Sequence, residues 1–442
     1  MHSFLLFLTF FTILQPGMLM GLVGVNQIVV AGCSLLVLRR TSTAKARYLI
    51  YVFLTAVAAT AFASLQFPEA IPEYIKCLAN FALSLFTAYI AFRLIQEVPQ
   101  QTVANICFLL LMGMIVAGTA EMLSGEVKNI SVTISKTLYV DSDSLELAEA
   151  RDERFHGGFW RPILGSQEPS WVGLAAACYL TGWNLCRRRT QFSGLQFLLL
   201  LIILFAIFRT QILLGTALVG AIPVVLHAFS ARSVGAIFLP IAGAVIALIT
   251  YILIGERYLQ IFSGDDNSTL IRLYLPAVFT YLSAVETWGM GTGFLGRAAE
   301  PGNPALAPFL PLVVEACQIS RVEFLLDRYD RDSVAFGVCQ LPFLTHWTFH
   351  GFLFGTISAF FWYCFAQSLR QGFFFWFLVI FFGLSLCGLP YESTRFLTLV
   401  MAYSAFFITY FDEWAYSMQS SLHSHPHAFP DEEIPANGPL RN

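Results

Sequence analysis

Runs of about twenty apolar residues recur along this chain, and they limit its folding more than any other feature. A helix rises about 1.5 Å per residue, so roughly 20 apolar residues cross a hydrocarbon layer about 30 Å thick. Such runs lie near 18–38, 48–67, 73–94, 102–123, 170–186, 192–208, 210–229, 234–254, 346–366, 372–388 and 394–411. A shorter run at 3–15 precedes Pro16-Gly17. In hydrocarbon every backbone polar group must be bonded internally, which turns these runs into helices. The expectation is an all-α, polytopic integral membrane protein with 11 or 12 spans. Composition agrees, with 57% hydrophobic and 12% charged residues, where soluble domains carry about 25% charged. An ordinary soluble enzyme, a nucleic-acid binder and a disordered chain are excluded. A net charge of −3 implies no strongly charged partner. The nine cysteines sit mostly inside apolar runs without a CxxC pair, as small hydrophobes do. Only Cys317 and Cys339 fall in a polar segment, where a disulfide is possible in principle.

Charge gives the orientation, because cytoplasmic loops are enriched in Lys and Arg. Arg39, Arg40, Lys45 and Arg47 share one short loop, Arg187, Arg188 and Arg189 another, and Arg232 and Arg370 mark two more. Alternating spans put all four on one side, expected to be the cytoplasm. The N-terminal run has no basic residue before it and no small-residue cleavage pattern after it, so it is not read as a signal peptide. Residues 1–411 then form a single transmembrane domain with extracytoplasmic segments at 124–169 and 255–345. Residues 412–442 form a cytoplasmic tail expected to be disordered. Those two segments hold 18 of the 28 acidic residues, and no acidic residue is expected mid-span. Proton-coupled transporters keep ionisable groups at the midplane, whereas this chain gathers its polar chemistry at one face.

Five stretches at that face can carry chemistry. Arg161 opens a segment ending in Glu168-Pro169-Ser170-Trp171, where a span begins. Glu168 fits a helix-start cap and equally a base that takes a proton from a hydroxyl. Arg209-Thr210 separates two apolar runs, and its guanidinium can snorkel to headgroups or grip a phosphate. A third stretch runs from Arg257 through Asp265, Asp266, Ser268 and Arg272. It continues through an apolar segment of about 13 residues, too short to span and suited to an interfacial or re-entrant helix. It ends in Gly289-Met290-Gly291-Thr292-Gly293, which follows no strand and reads as a flexible turn, not a dinucleotide fingerprint. His346 and His350 open the span after the long loop, one helical turn apart. A zinc site would need a third ligand, so an anchoring role or a general base is the expected alternative. Pro390-Tyr391-Glu392-Ser393-Thr394-Arg395 is a polar kink on the same face. His423, His425 and His427 lie in the tail.

The ordered set resembles the Wzy-type polysaccharide polymerase and O-antigen ligase superfamily. Glu168-Pro169-Ser170 opens a span and Arg209-Thr210 tops a later one. Arg257, Asp265-Asp266, Ser268, Arg272 and Gly289-x-Gly291-x-Gly293 follow, then a large loop and a His346-led span with Gly351 and Gly355. The likeness covers roughly 100–390. Trp347 stands where the ligases usually have Asn after the histidine, Phe208 replaces a Ser before the Arg, and Glu168-Pro-Ser-Trp is closer to the polymerases. The resemblance implies a C-type glycosyltransferase fold in the bacterial inner membrane, without metal or cofactor. Its partners would be polyprenyl-pyrophosphate-linked glycan donor and acceptor, membrane lipids, a chain-length regulator and a flippase, with no nucleic acid. Glu168 and His346 are then the expected catalytic bases. Arg209, Arg272 and Arg257 are expected to bind pyrophosphate, and Arg161, Tyr391 and Arg395 the glycan. Transfer to another acceptor, as by a ligase, transport of a lipid-linked oligosaccharide and a nonenzymatic role in a secretion complex are the alternatives.

Overall fold

The computed structural model describes residues 2–14, 18–19, 23–24, 45–138, 160–166, 169–187, 193–230, 275–293, 309–320, 326, 334, 341–386, 391 and 393–423. Among them the chain is helical apart from two-residue strands at Met18–Leu19 and Val23–Gly24, which pair antiparallel. The helices are α1 (His2–Leu14), α2 (Ala46–Gln66), α3 (Ile71–Glu97), α4 (Gln100–Leu123), α5 (Gly125–Leu138), α6 (Pro169–Cys186) and α7 (Ser193–Phe208). They continue as α8 (Gln211–Ser230), α9 (Leu275–Glu286), α10 (Leu310–Ile319), α11 (Pro342–Leu369), α12 (Phe374–Ser385) and α13 (Thr394–His423).

Five helical stretches are long and apolar enough to cross a membrane: Ala46–Gln66, Pro68–Glu97, Gln100–Leu123, Pro342–Leu369 and Thr394–Glu413. The protein is a multi-pass, helical membrane protein. Helix bounds follow the apolar runs closely, because a run ends where backbone and side chains can reach water. The expected span at 18–38 begins not as helix but as the paired strands Met18–Leu19 and Val23–Gly24, and its remainder and the expected span at 234–254 lie outside the described residues. Cys317 is buried, and Cys339 is outside the described set. The last helix departs from expectation. It runs through Asp412 and Glu413 to His423, so the chain past residue 411 begins as helix. Arg370 reaches Asp412 at 3.5 Å, which fixes that junction at the end where α12 starts.

Apolar side chains gain nothing by leaving lipid for protein, so small and hydroxyl residues decide which helices meet. The central contact is α3 against α13. Ser84 and Thr394 share a hydrogen bond of 2.7 Å near the start of α13, and Gln96 donates to the Ala405 carbonyl and the Thr409 hydroxyl further along. The two helices therefore run parallel. On the other flank of α13, Tyr403 bonds the Thr181 hydroxyl of α6 and donates to the Thr216 carbonyl of α8. Gly182 lets α6 approach closely, since a Cβ there would stand 2.6 Å from Phe406 and 2.7 Å from Cys107.

The loop between α2 and α3, the α7–α8 turn, and the starts of α6, α11 and α13 gather at one end of the bundle. Phe309 packs edge-on to Phe67, and Phe81 lies beside Tyr391, which ties these elements together. Of the polar residues singled out above, Arg161, Arg209, His346, Tyr391 and Arg395 belong to this end.

Candidate functional site

The site is organised by a break in α11. Gly351 has φ 67° and ψ −175° inside an otherwise helical stretch. The carbonyls of Thr348 and Phe349 cannot be met by the next turn, and the 289–293 loop meets them instead. Thr292 N–H donates to Thr348 O at 2.9 Å, Gly293 N–H to Phe349 O at 3.1 Å, and Phe352 N–H to Gly289 O at 2.8 Å. The two backbones press so closely that a Cβ on Gly351 would collide with the Gly289 carbonyl, and one on Gly291 with the Gly351 nitrogen. Gly291 and Gly351 also hold left-handed φ values of 89° and 67°, where only glycine is free of Cβ strain. The turn read as flexible is thus a backbone clasp.

The clasp also removes one anion-binding option. Trp288, Gly289, Met290 and Gly291 N–H bond Val285 O, Ala284 O, Thr287 O and the Thr287 hydroxyl, and those of Thr292 and Gly293 are used as above. All six N–H groups from 288 to 293 are committed. A phosphate cradle of the glycine-rich kind needs such groups directed at the ligand.

The break folds the first two turns of α11 back on the rest. His346 Nε2 lies 3.1 Å from the Gly355 carbonyl, a residue that would be about 13 Å away along a straight helix. Trp347 covers Gly355 on the same side. A carbonyl only accepts, so the neutral His346 ring carries its proton on Nε2 and a lone pair on Nδ1. His350 Nδ1 is similarly a donor, to the His346 carbonyl at 3.0 Å. The imidazoles stand 4.5 Å apart, and the Tyr391 ring meets both edge-on, at 5.3 and 6.0 Å. Tyr391 is itself fixed by Trp362, whose indole N–H donates to its hydroxyl at 3.2 Å.

Tyr391 is fully buried. Its ring faces the histidines and Phe81, not a sugar-binding surface, so the expected glycan contact gives way to a role in setting the His346 ring. Arg395 lies four residues on, hence within about 14 Å of Tyr391 along the backbone. Its guanidinium stacks at 3.5 Å over Trp171 in the first turn of α6, a cation–π contact that fixes the plane of the fork. The Arg209–Thr210 turn rests on the same turn of α6, because Thr210 occupies the space a Cβ of Gly173 would take. Arg209 has φ 46° and donates its N–H to Phe205 O at 2.9 Å, ending α7 as glycine commonly does. Its Nε–H donates to Ala206 O at 3.4 Å, which favours helix capping alongside any phosphate contact. Arg161 is buried in the 160–166 segment. Glu168, Arg257 and Arg272 lie outside the described residues.

One structural carboxylate beside the site was not foreseen. Glu121, near the end of α4, is 2% exposed and accepts four hydrogen bonds. Trp160 Nε1 and Ile163 N donate to Oε1 at 2.8 and 2.9 Å. Ser131 Oγ and Leu164 N donate to Oε2 at 3.0 Å each. Ser131 in turn accepts from Gly165 N at 2.7 Å. Glu121 therefore holds the Arg161 segment in place at the start of α6. The signal in the sequence was a lone acidic residue one turn from a helix end, followed by Ser131 and Trp160.

Comparison with protein-family models, curated proteins and solved structures found no match.

Proposed function

We propose that the protein is a membrane glycosyltransferase that polymerises polyprenyl-pyrophosphate-linked oligosaccharide repeat units. In this reading it has 11 or 12 spans, a C-type glycosyltransferase fold and a place in a bacterial inner membrane, with its chemistry at the extracytoplasmic face. The observation that carries the reading is the His346 ring, whose tautomer is set by Gly355 and whose face is set by Tyr391, at the same bundle end as Arg161, Arg209 and Arg395.

The chemistry follows from those groups. His346 Nδ1, or Glu168, takes the proton from an acceptor sugar hydroxyl. The new C–O bond forms at the donor's anomeric carbon as its bond to the phosphate oxygen breaks. The electron pair leaves with the polyprenyl pyrophosphate. Arginine forks offset that developing charge by paired hydrogen bonds to phosphate oxygens. Arg395, held flat by Trp171, and Arg209 have that capacity, with Arg257 and Arg272 the further candidates from sequence.

The test is cell-free polymerisation with purified protein and lipid-linked repeat units. Formation of longer lipid-linked chains, with release of polyprenyl pyrophosphate, is the expected result. Transfer only to a different acceptor would make the protein a ligase. Movement of the substrate across vesicles with no new glycosidic bond would make it a transporter.

A further inference from the structure

We infer that the outward edge of α9 is a lipid-contacting surface that lies in the headgroup layer of the membrane at the site end. The inference stands apart from the enzymatic reading. Leu275, Phe279, Leu282 and Ser283 turn inward, and Thr280 shares a hydrogen bond with the Thr348 hydroxyl of α11 at 2.9 Å. The opposite stripe is Ala277, Tyr281 and Val285, continued past the helix end by Trp288, with the exposed Glu286 closing the helix beside it. Tyr281 is 67% exposed, Val285 61% and Trp288 88%. On a helix washed by water that stripe would be polar. Here every member is apolar or an amphipathic aromatic.

Three observations identify lipid as what covers it. At 12 residues α9 is about 18 Å long, short of a bilayer's thickness, and Thr280 and the clasp hold it to the broken end of α11. Its end is continuous with the membrane-facing wall. Gly289 sits against Phe352, and Phe352 is 59% exposed in the first turn of the crossing part of α11. That part runs beside α2, with Phe354 against Phe62 and Phe361 against Tyr51, so Phe352 lies at the bilayer edge. Finally, Tyr and Trp are the residues enriched where hydrocarbon meets headgroups. Trp288 holds φ 52°, a conformation disfavoured for a residue with a Cβ. The clasp imposes it, and the result is an indole held away from the protein.

The test uses the full chain in nanodiscs of phosphatidylcholine brominated either near the glycerol end or deep in the acyl chain. The Trp288 contribution is the difference between the natural protein and Trp288→Phe, which leaves the other seven of the eight tryptophans in place. Shallow bromines should quench most of that contribution, deep bromines less, and aqueous iodide little. Quenching by iodide and not by bromolipid would overturn the inference in favour of water. Protection from both would overturn it in favour of protein cover. Should Trp288→Phe fold poorly, a nitroxide on Val285→Cys reads the same depth from oxygen against nickel accessibility. Greater exposure to nickel would again reject lipid contact.

Discussion

Two helices of equal apolarity have opposite surroundings. The most apolar stretches of α11 and α13 share a mean hydropathy of 1.3, yet 33% of the first is buried and 89% of the second. The difference teaches that hydropathy reports entry into the membrane and not position within the bundle. Lipid and protein interior are about equally good solvents for Leu and Phe. What centres α13 is its seam of Thr394, Thr398, Ala402, Ala405 and Thr409, which lets α3 come close and bond across, with Tyr403 bonding α6 on the other flank. What leaves α11 peripheral is its load of large rings, with Phe352, Phe360 and Tyr363 facing outward. The peripheral helix carries the break, and the break carries the histidines. A central helix so broken would leave carbonyls with no loop near enough to meet them.

The largest effect should come from the broken helix. His346→Ala is expected to slow glycosyl transfer by about 10²–10⁴-fold, the usual range for a general base, with helix content unchanged. His350→Ala, measured beside it as polymer per mole of folded protein, should do much less. The pH dependence has a definite sign. Protonating Nδ1 removes the lone pair, so on the proposed reading the natural protein should lose rate as pH falls. The His346→Ala protein should lose that acid limb. Equal, mild effects from both substitutions would return the base to Glu168.

Packing around the central helix gives the next effect. Gly182→Val should destabilise the protein by about 1–3 kcal/mol through overpacking, because Phe406 and Cys107 already fill the space. Phe360→Leu on the lipid face of α11 should stay within about 0.5 kcal/mol. Thermal unfolding in one detergent compares the two. Similar losses from both would mean that α13 is not the centre.

The smallest effects test the polar seam by sign. Ser84→Ala removes the partner of Thr394 and should cost about 0.6 kcal/mol, the average for such bonds between membrane helices. Thr398 has a buried hydroxyl with no partner among the described residues. Thr398→Val keeps the shape and relieves that group, so it should be neutral or stabilising. A loss from Thr398→Val matching that from Ser84→Ala would show that the hydroxyl is used.

Much of the fold was legible because apolar runs are long and local. Ala46–Gln66 and Gln100–Leu123 fall where their sequences end. The shared face of His346, Tyr391 and Arg395 was legible too, since alternation fixes the side of every loop. The break at Gly351 was not. It depends on the backbone of residues 289–293, and hydropathy carries no trace of that pairing. The burial of Tyr391 was hidden for the same reason, because its neighbours come from α3 and α11. Glu121 passed as the ragged end of a span, since its four donors lie 10 to 43 residues further along the chain.

The clasp at Gly351 also imposes an order on biosynthesis. Thr292 finds its Thr348 partner 56 residues later. At about 5–20 residues per second the chain needs roughly 3–11 s to supply it. Tyr74, which donates to the Thr292 carbonyl, is made 218 residues before that partner. At the same rate it waits about 11–44 s. The α4–α6 pair can therefore settle while the loop still has no half-helix to grip, whereas α3 waits for α13, its central partner. His346 acquires its Gly355 contact only after residues 342–355 have followed. Tyr391 and Arg395 come later still, with α12 and α13, so the end that holds His346 is completed only when the central helix itself has been made, and a chain cut short before residue 348 would lack both.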